Sequence, residues 1–266
     1  MEVEIFQVDA FASRLFQGNP AAICLLEEAL PERIMQKIAS ENNLAETAFV
    51  LTERDGYRLR WFTPEEEIDL CGHATLAAAH VLFRHKKVQE TTLRFKTLSG
   101  VLSVTRSGER LRMLLPLREP DVCALPAGLA EALGIALPFA VYKAKEYLLV
   151  LENEAAVRAL QPDFQRLNRI DAPGIIVTAA GEGNDVDFVS RYFATNCSVP
   201  EDPVTGSAHC SLAPYWAKRL GLRKLRARQL SERGGELSCE MLNGQVALEG
   251  EAVTYLHGKL YLALDQ

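Results

Sequence analysis

The sequence predicts an α+β protein with two similar domains, each a mostly antiparallel sheet wrapped as a barrel around a central apolar helix. An Arg-aromatic-Phe step, an acidic loop and a glycine that opens an apolar segment occur in residues 60–74 and again in residues 191–208. Many short strand patterns flank each apolar segment. Because a helix that is apolar nearly all round must be covered on every side, a curved sheet is the expected partner.

The composition is that of an ordinary protein of two domains. The chain has 266 residues, of which 48% are hydrophobic and 24% charged, enough to build a full core. The net charge of −6 argues against nucleic acid as a partner, since no basic stripe is present to neutralise phosphates. A locally basic stretch, residues 218–228, is interpreted as a solvated helix end and loop.

We place the first domain at residues 1–116. Alternating or continuously apolar runs predict its strands, and a turn signal at Arg54–Gly56 joins two of them in a hairpin. Pro31 suits the first turn of a helix, and an alanine-rich apolar run predicts a second, buried helix. The expected strands are 3–9, 21–26, 47–52, 57–62, 92–96, 100–106 and 110–114, and the expected helices are 31–39 and 72–83.

We place the second domain at residues 117–266, with its last strand free to cross back to the first domain. A stretch rich in Pro and Ala joins the halves and contains a short helix near residues 126–133. Pro214 is expected to kink the long apolar helix of this domain. The expected strands are 140–143, 147–151, 174–179, 185–193, 229–232, 235–242, 245–250 and 251–264, and the expected helices are 154–160, 162–167 and 206–220.

The sequence carries no targeting or cofactor motif. It begins with a strand pattern rather than a basic leader, and no apolar run is long enough to cross a bilayer. The six cysteines are scattered without paired spacing, which indicates neither disulfides nor a zinc site and fits a reducing cytoplasm. Nucleotide-binding, phosphate-loop and His-Glu-x-x-His motifs are absent. We therefore expect no cofactor, no metal and no membrane partner.

Two helix starts opened by glycine supply the candidate chemistry. Bare N–H groups and positive dipole ends at Gly72 and Gly206, facing each other across a cleft between the domains, would form a pocket for a carboxylate. The dipole favours a neutral His73, which either hydrogen-bonds a substrate oxygen or caps the helix. Glu46 stands among apolar residues at a helix-to-strand junction, and it is either a general acid/base or a surface residue that ends a helix.

Polar residues also surround the second helix start. Pro203 restrains the backbone of Asp202, whose carboxylate either orients His73, holds a substrate amine or hydroxyl, or only marks the helix entry. The hydroxyls of Thr205 and Ser207 either bind a carboxylate or cap the helix, which is their commoner role. These positions make the second helix start a candidate half of the site.

Cys71 precedes the first helix, where the dipole would stabilise a thiolate. A cofactor-free racemase needs a second thiol at the matching place in the other half, and that place holds Thr205. A mechanism with two thiols therefore lacks its partner. A pair of one Cys and one Thr, which some related dehydratases use, is still present as Cys71 and Thr205.

Five linked motifs resemble the PhzF (phenazine biosynthesis-like) protein family: residues 9–11, 16–22, 43–49, 71–75 and 201–209. The likeness runs in the same order from near residue 3 to the C-terminus. It implies the diaminopimelate-epimerase-like fold, a homodimer and no cofactor. Many members of this family have no known substrate, so the phenazine substrate is not carried over.

The resemblance also implies roles for single residues. Glu46 matches the glutamate that moves a proton in the family's phenazine enzyme. The positions that match the family's other site residues are His73, Asp202 and Ser207. The positions implied to bind substrate are Gly72 and Gly206, whose amides would hold its carboxylate, together with Thr205 and Asn19.

Three functions follow for testing. The first is a cofactor-independent isomerase that shifts a proton in a small carboxylate-bearing substrate, with Glu46 as the acid/base. The second is a racemase, epimerase or hydroxyproline-type dehydratase that uses Cys71. The third is a binding or scaffold protein that keeps the pocket without turnover.

Overall fold

A computed structural model of the protein describes residues 1–197 and 199–263. The fold is α+β, with many strands and few helices, as the sequence predicts. The chain divides into two compact units: Met1–Leu114 with the segment that begins at Glu249, and Leu115–Leu248. Within the described ranges, no helix is both long enough and apolar enough to cross a membrane.

The first unit places strands on several sides of one buried helix. Its elements are β1 (Glu2–Ala10), β2 (Asn19–Leu26), α1 (Glu32–Asn42), β3 (Glu46–Glu53), β4 (Gly56–Phe62), β5 (Glu67–Ile68), α2 (Gly72–Arg84), β6 (Thr92–Thr97), β7 (Gly100–Ser107), β8 (Arg110–Pro116) and β17 (Ala252–Tyr261). Helix α2 contacts β1, β2, β3, β7 and β17. Its residues are nearly all buried, which explains why the sequence is apolar on every side of this helix.

The second unit is built in the same way. Its elements are β9 (Asp121–Val122), α3 (Leu129–Leu133), β10 (Ala140–Lys143), β11 (Tyr147–Val150), α4 (Glu154–Arg158), α5 (Phe164–Leu167), β12 (Gly174–Ala180), β13 (Phe188–Ala194), α6 (His209–Leu220), β14 (Lys224–Gln229), β15 (Gly235–Leu242) and β16 (Gln245–Gly250). Helix α6 packs on β14 and β15, and its Trp216 stacks on Phe188 of β13 and donates to Thr178 of β12.

The two units repeat one order of strand directions. In the first unit, β2 and β3 are parallel, β3 and β4 antiparallel, β4 and β6 parallel, and β6 and β7 antiparallel. In the second unit, β11 to β15 pair with the same alternation of directions. The repeated sequence pattern therefore corresponds to a repeated supersecondary structure.

The repeated Arg-aromatic-Phe step is an ion-pair clamp in both units. Arg60 forms a bidentate pair with Glu67, with bonds of 2.6 and 2.5 Å, and its guanidinium lies 5.1 Å from the Phe62 ring centre. Arg191 likewise holds Glu201 through bonds of 2.7 and 2.8 Å. Because both partners are planar and charged, each clamp fixes the acidic loop that leads to the next helix.

Two expected elements are wrong in position. The strand predicted at residues 229–232 is β14, Lys224–Gln229, which lies in the stretch interpreted as a solvated helix end and loop. Leu225, Ala227 and Gln229 alternate inward there, and the charged residues between them occupy the outer face. The helix predicted from Gly206 begins at His209, because residues 206–208 form a tighter turn with i to i+3 bonds.

Other bounds shift only slightly. The expected helices at 126–133, 154–160 and 162–167 are shorter, as α3, α4 and α5. The strand expected at 185–193 is β13, Phe188–Ala194, and the short strands β5 and β9 were not expected. The expected last strand corresponds to β17, and its predicted end at Leu264 lies outside the described residues.

Candidate active site

Glu46 and His73 form a close pair in the first unit. Glu46 is the first residue of β3, and His73 is the second residue of α2. Glu46 Oε2 lies 3.0 Å from His73 Nε2, with 17% of the glutamate side chain and 4% of the histidine side chain exposed. The two atoms lie close together, but their geometry is not that of a hydrogen bond. Each atom is buried without a hydrogen-bond partner. Catalytic pairs are often loosely aligned without substrate.

The other ring nitrogen of His73 faces two buried groups. Asn19, at the start of β2, is fully buried and places its Nδ2 3.1 Å from His73 Nδ1. Cys71 Sγ lies 3.5 Å from the same nitrogen. Asn19 thus contacts His73 and is a positioning residue in this geometry. Its predicted role as a substrate ligand remains a prediction.

The charge state of His73 depends on its neighbours. Burial by itself lowers the pKa of His73, but the Cys71 sulfur and the Glu46 carboxylate raise it well above the usual imidazole value. Of these two groups, only the Glu46 carboxylate still raises the pKa of His73 when Cys71 is protonated, because a protonated thiol carries no charge. This direction is opposite to the neutral imidazole that the helix dipole alone predicted, since a full charge at 3.0 Å outweighs a partial one.

Cys71 is a poor candidate for a free thiolate. The thiol is buried, and burial together with the Glu46 carboxylate raises the pKa of Cys71, although His73 and the amide of Ala74 act to lower it. The expectation of a thiolate stabilised by the dipole is therefore wrong in direction. The sequence pattern showed the helix start but not the nearby carboxylate.

Helix α2 begins as the sequence predicted. Gly72 is its first residue and is buried, and Cys71 at the N-cap makes no side-chain capping hydrogen bond. The first amides of α2 thus lack the usual side-chain acceptor. This arrangement suits an anion at the helix start.

The same groups form a potential metal-binding cluster. Ligand atoms of Glu46, Cys71 and His73 lie within 4.8 Å of one another, and they are the one such group found in the described part of the chain. A nitrogen, a sulfur and a carboxylate oxygen are the donors that zinc prefers. Residue spacing did not predict this cluster, because 25 residues separate Glu46 from Cys71. The arrangement serves proton transfer equally well, and we assign it no metal.

In the second unit, Asp202 and Thr205 contact each other. Thr205 Oγ1 donates to Asp202 Oδ2 at 2.5 Å, so this hydroxyl binds the loop carboxylate. Gln229 of β14 accepts from the Thr205 amide at 2.9 Å and donates to the Asp202 carbonyl at 2.6 Å. The loop before α6 is therefore held by one buried glutamine. Sequence reasoning missed Gln229, because it stands in a charged stretch with no motif.

Gly206 and Ser207 lie in the tight turn before α6. Gly206 is buried and Ser207 is partly buried. The N-cap of α6, Ala208, has no side chain that can accept a hydrogen bond, and His209 uses its Nδ1 to contact the Thr205 carbonyl at 2.8 Å. His209 therefore has a structural role in this geometry.

Comparisons with known proteins agree with this fold. The model of the PhzC-PhzF family, described as phenazine biosynthesis-like protein, matches residues 8–258. An uncharacterized isomerase of Pseudomonas aeruginosa is 52% identical over 98% of this chain and 100% of its own. An uncharacterized isomerase of Halalkalibacterium halodurans is 43% identical, covering 98% of this chain and 100% of its own. A PhzF family structure from Enterococcus faecalis has a TM-score of 0.95 and 47% identity, covering 98% of this chain and 100% of its own.

Proposed function

This chain belongs to the PhzC-PhzF, phenazine biosynthesis-like, protein family, and we propose that it is an isomerase that moves a proton within a small carboxylate-bearing substrate. The relatives named as isomerases support the reaction class. The single observation that carries the chemistry is the close pair of a partly buried Glu46 and a buried His73. No group outside the chain is required for this step.

Glu46 is the acid/base of the proposal. Its carboxylate removes a proton from a substrate carbon and returns it to another carbon of the same molecule, while a double bond moves between them. Nothing is oxidised or reduced. His73, whose pKa is raised by Glu46 and Cys71 against the effect of burial, holds a proton beside the carboxylate. It thereby places a positive charge next to the carboxylate that performs the first transfer.

The remaining predicted residues bind the substrate in this proposal. Amides at the start of α2, near Gly72, hold one carboxylate oxygen through hydrogen bonds and the dipole. In the second unit, Gly206 and Ser207 offer the corresponding turn, and Asp202 accepts a hydrogen bond from Thr205. Asp202 is then a fixed acceptor for a substrate amine or hydroxyl.

The test begins with the substrate. A thermal-shift panel of amino acids, hydroxy acids and cyclic carboxylates identifies a ligand, and NMR in deuterated buffer then follows its conversion. Glu46→Gln keeps the shape of the side chain and removes the titrating group, so turnover should fall by about two decades or more. Glu41→Gln, on the exposed face of α1, is the matched control and should keep the wild-type rate. Wild-type turnover by Glu46→Gln would refute the proposal.

A second candidate is the reaction that uses Cys71. The contact of 3.5 Å between Cys71 Sγ and His73 Nδ1 favours it, since an imidazole can deprotonate a thiol. Against it, burial raises the pKa of Cys71, and the hydroxyl of Thr205 is engaged by Asp202. Exchange of the substrate α-hydrogen that is lost in Cys71→Ser but kept in Glu46→Gln would favour this candidate.

The homodimer and the cytoplasmic location are also part of the proposal. Large apolar side chains are exposed on the first unit, with Phe16 at 66% and Tyr261 at 77%. Phe16 contacts Tyr255, which is 49% exposed, and adjacent exposed apolar side chains are typical of a surface covered by a partner. Sedimentation of the purified protein should give a mass near twice 29.5 kDa. A monomer at all concentrations would refute the proposed homodimer.

A further inference from the structure

The repeated strand order allows the two units to be compared residue by residue. Phe49 lies opposite Arg60 in the β3–β4 pair, and Val177 lies opposite Arg191 in the β12–β13 pair. Counting back three residues from Phe49 and Val177 gives Glu46 and Gly174. The second unit therefore has a glycine where the first has its proposed acid/base.

Position 174 requires a glycine because the side chain of Tyr192 occupies the space that a Cβ would need. A Cβ at this position would lie 2.3 Å from the hydroxyl oxygen of Tyr192. The carboxyl group of the second unit is instead found on the neighbouring strand. Glu146 directly precedes the Tyr147–Ile175 pair of β11 and β12, and so stands beside Gly174. In the first unit, the corresponding neighbour of Glu46 is Ala21.

Glu146 is buried with an unsatisfied oxygen. Its side chain is 3% exposed, and Oε2 has no hydrogen-bond partner in the described structure. The nearest cation is Arg118, whose Nη1 lies 3.9 Å from Glu146 Oε1, too far for a hydrogen bond, and this Nη1 is also buried without a partner. In a structural ion pair, the two groups would lie within hydrogen-bond distance, because burying either group without a partner costs free energy of folding.

Arg118 is fixed close to the start of α6. Its backbone N–H donates to the carbonyl of Cys210, the second residue of that helix, at 3.0 Å. Burial, more than any charge, raises the pKa of Glu146, and Arg118 only partly offsets this effect. A protonated Glu146 beside Arg118 presents two hydrogen-bond donors, which together suit an oxygen acceptor.

We propose that Arg118 and Glu146 form an oxygen-binding subsite in the second unit, which holds a second carboxylate or a carbonyl oxygen of the substrate. The inference rests on the proposed function and narrows its substrate class. With one carboxylate at the turn before α6, in the same unit, the substrate is a dicarboxylate or an oxo acid. A monocarboxylate without a second oxygen function would leave Arg118 and Glu146 without a hydrogen-bond partner. We expect it to bind weakly for that reason.

The first test is calorimetric binding of malonate, with acetate and butyrate as matched monocarboxylates. The wild-type protein should bind malonate at least about tenfold more tightly than either monocarboxylate. Arg118→Met should remove this preference. Arg223→Met, at an exposed arginine of the same unit, should retain it. Equal affinity of the wild-type protein for the three probes, or no binding of any, would overturn the proposal.

The second test is the pH dependence of malonate binding. The groups that act on Glu146 are Arg118 and Lys145, with Tyr192 and Cys210 nearby. Burial raises the pKa of Cys210 to about 11 and that of Tyr192 still higher, so both stay neutral around pH 7. Malonate affinity should fall as pH rises and Glu146 loses its proton, whereas Glu146→Gln should give a flatter profile. Identical profiles would contradict the subsite.

Thermal unfolding separates this subsite from a structural ion pair. Glu146→Gln should keep the wild-type Tm or raise it, because the amide replaces a poorly satisfied buried carboxyl. A structural pair would lose several degrees, since the buried Nη1 of Arg118 would be left without its carboxylate partner. The Glu46→Gln rate reports independently on the proposed function. Loss of turnover there, with wild-type binding by Arg118→Met, would reject the subsite alone.

Discussion

The two long helices begin at buried histidines with opposite electrostatics. His73 in α2 and His209 in α6 are both nearly inaccessible to solvent. Burial lowers the pKa of His73, but the Cys71 sulfur and the Glu46 carboxylate raise it well above the usual value, whereas burial lowers the pKa of His209 to about 4. The difference is the carboxylate: His73 has Glu46 at 3.0 Å, while His209 contacts only the carbonyl of Thr205. A repeated scaffold thus carries one histidine for chemistry and one for packing.

The largest expected effect is the loss of stability at low pH caused by His209. Its pKa is about 4 when folded and about 6.5 when unfolded, so the folded state favours the neutral ring. Stability is therefore complete above pH 6.5 and falls as pH decreases toward 4, by about 3 kcal/mol. Urea unfolding at several pH values should show a smaller loss for His209→Asn than for the wild-type protein.

His80 and His257 serve as references for this measurement. Burial also lowers the pKa of His80 to about 4, so some loss of stability must remain in His209→Asn. His257→Asn, which removes the contact of 2.9 Å between an exposed ring and the Glu4 carboxylate, shows how much of the slope comes from a surface pair. If His209→Asn and the wild-type protein lose equal stability between pH 6.5 and 4, the assignment of His209 to packing is wrong.

The next effect concerns the raised pKa of His73. Glu46→Gln removes the opposing charge, and the pKa of His73 should fall, as measured by NMR of the ring. In the wild-type protein, the corresponding stability is present below pH 6.5 and is lost as pH rises through the folded pKa. The Glu46→Gln variant should not lose this stability as pH rises. An unchanged His73 titration would remove the contrast between the two helix starts.

The smallest expected effect compares the two arginine clamps. Arg191 is 11% exposed and also donates to the Leu160 carbonyl at 2.7 Å, whereas Arg60 is 27% exposed. Lysine cannot form the bidentate pair, so Arg191→Lys should cost about 1–2 kcal/mol and Arg60→Lys less. Thermal unfolding measures both. A larger cost at Arg60 would show that exposure does not rank the clamps.

Much of the scaffold is readable in the sequence. The apolar, alanine-rich run predicts α2 because its residues are buried all round, and Gly72 marks its first residue. The two Arg-aromatic-Phe steps predict equivalent strands, because each arginine must reach an acidic residue of the following loop. These features depend on local pattern, which a single sequence contains.

The parts that escaped prediction depend on contacts between distant segments. The strand Lys224–Gln229 was hidden because charged residues on its outer face outnumber the apolar ones inside. The contact between Glu46 and His73 follows from strand register, not from spacing. Glu146 lies in no motif. Its position becomes significant only because it lies beside Gly174, which corresponds to Glu46 in the repeat.

The return of β17 to the first unit has a consequence for how the protein is made. Strand β1 pairs along its whole length with β17, which follows the second unit in the chain and therefore leaves the ribosome after it. The second unit lies entirely between these strands and is therefore synthesised while the first is still incomplete. The polar pair at Glu46 and His73 belongs to the unit that closes last. Translation itself thus delays assembly of the candidate site until the second unit has been synthesised.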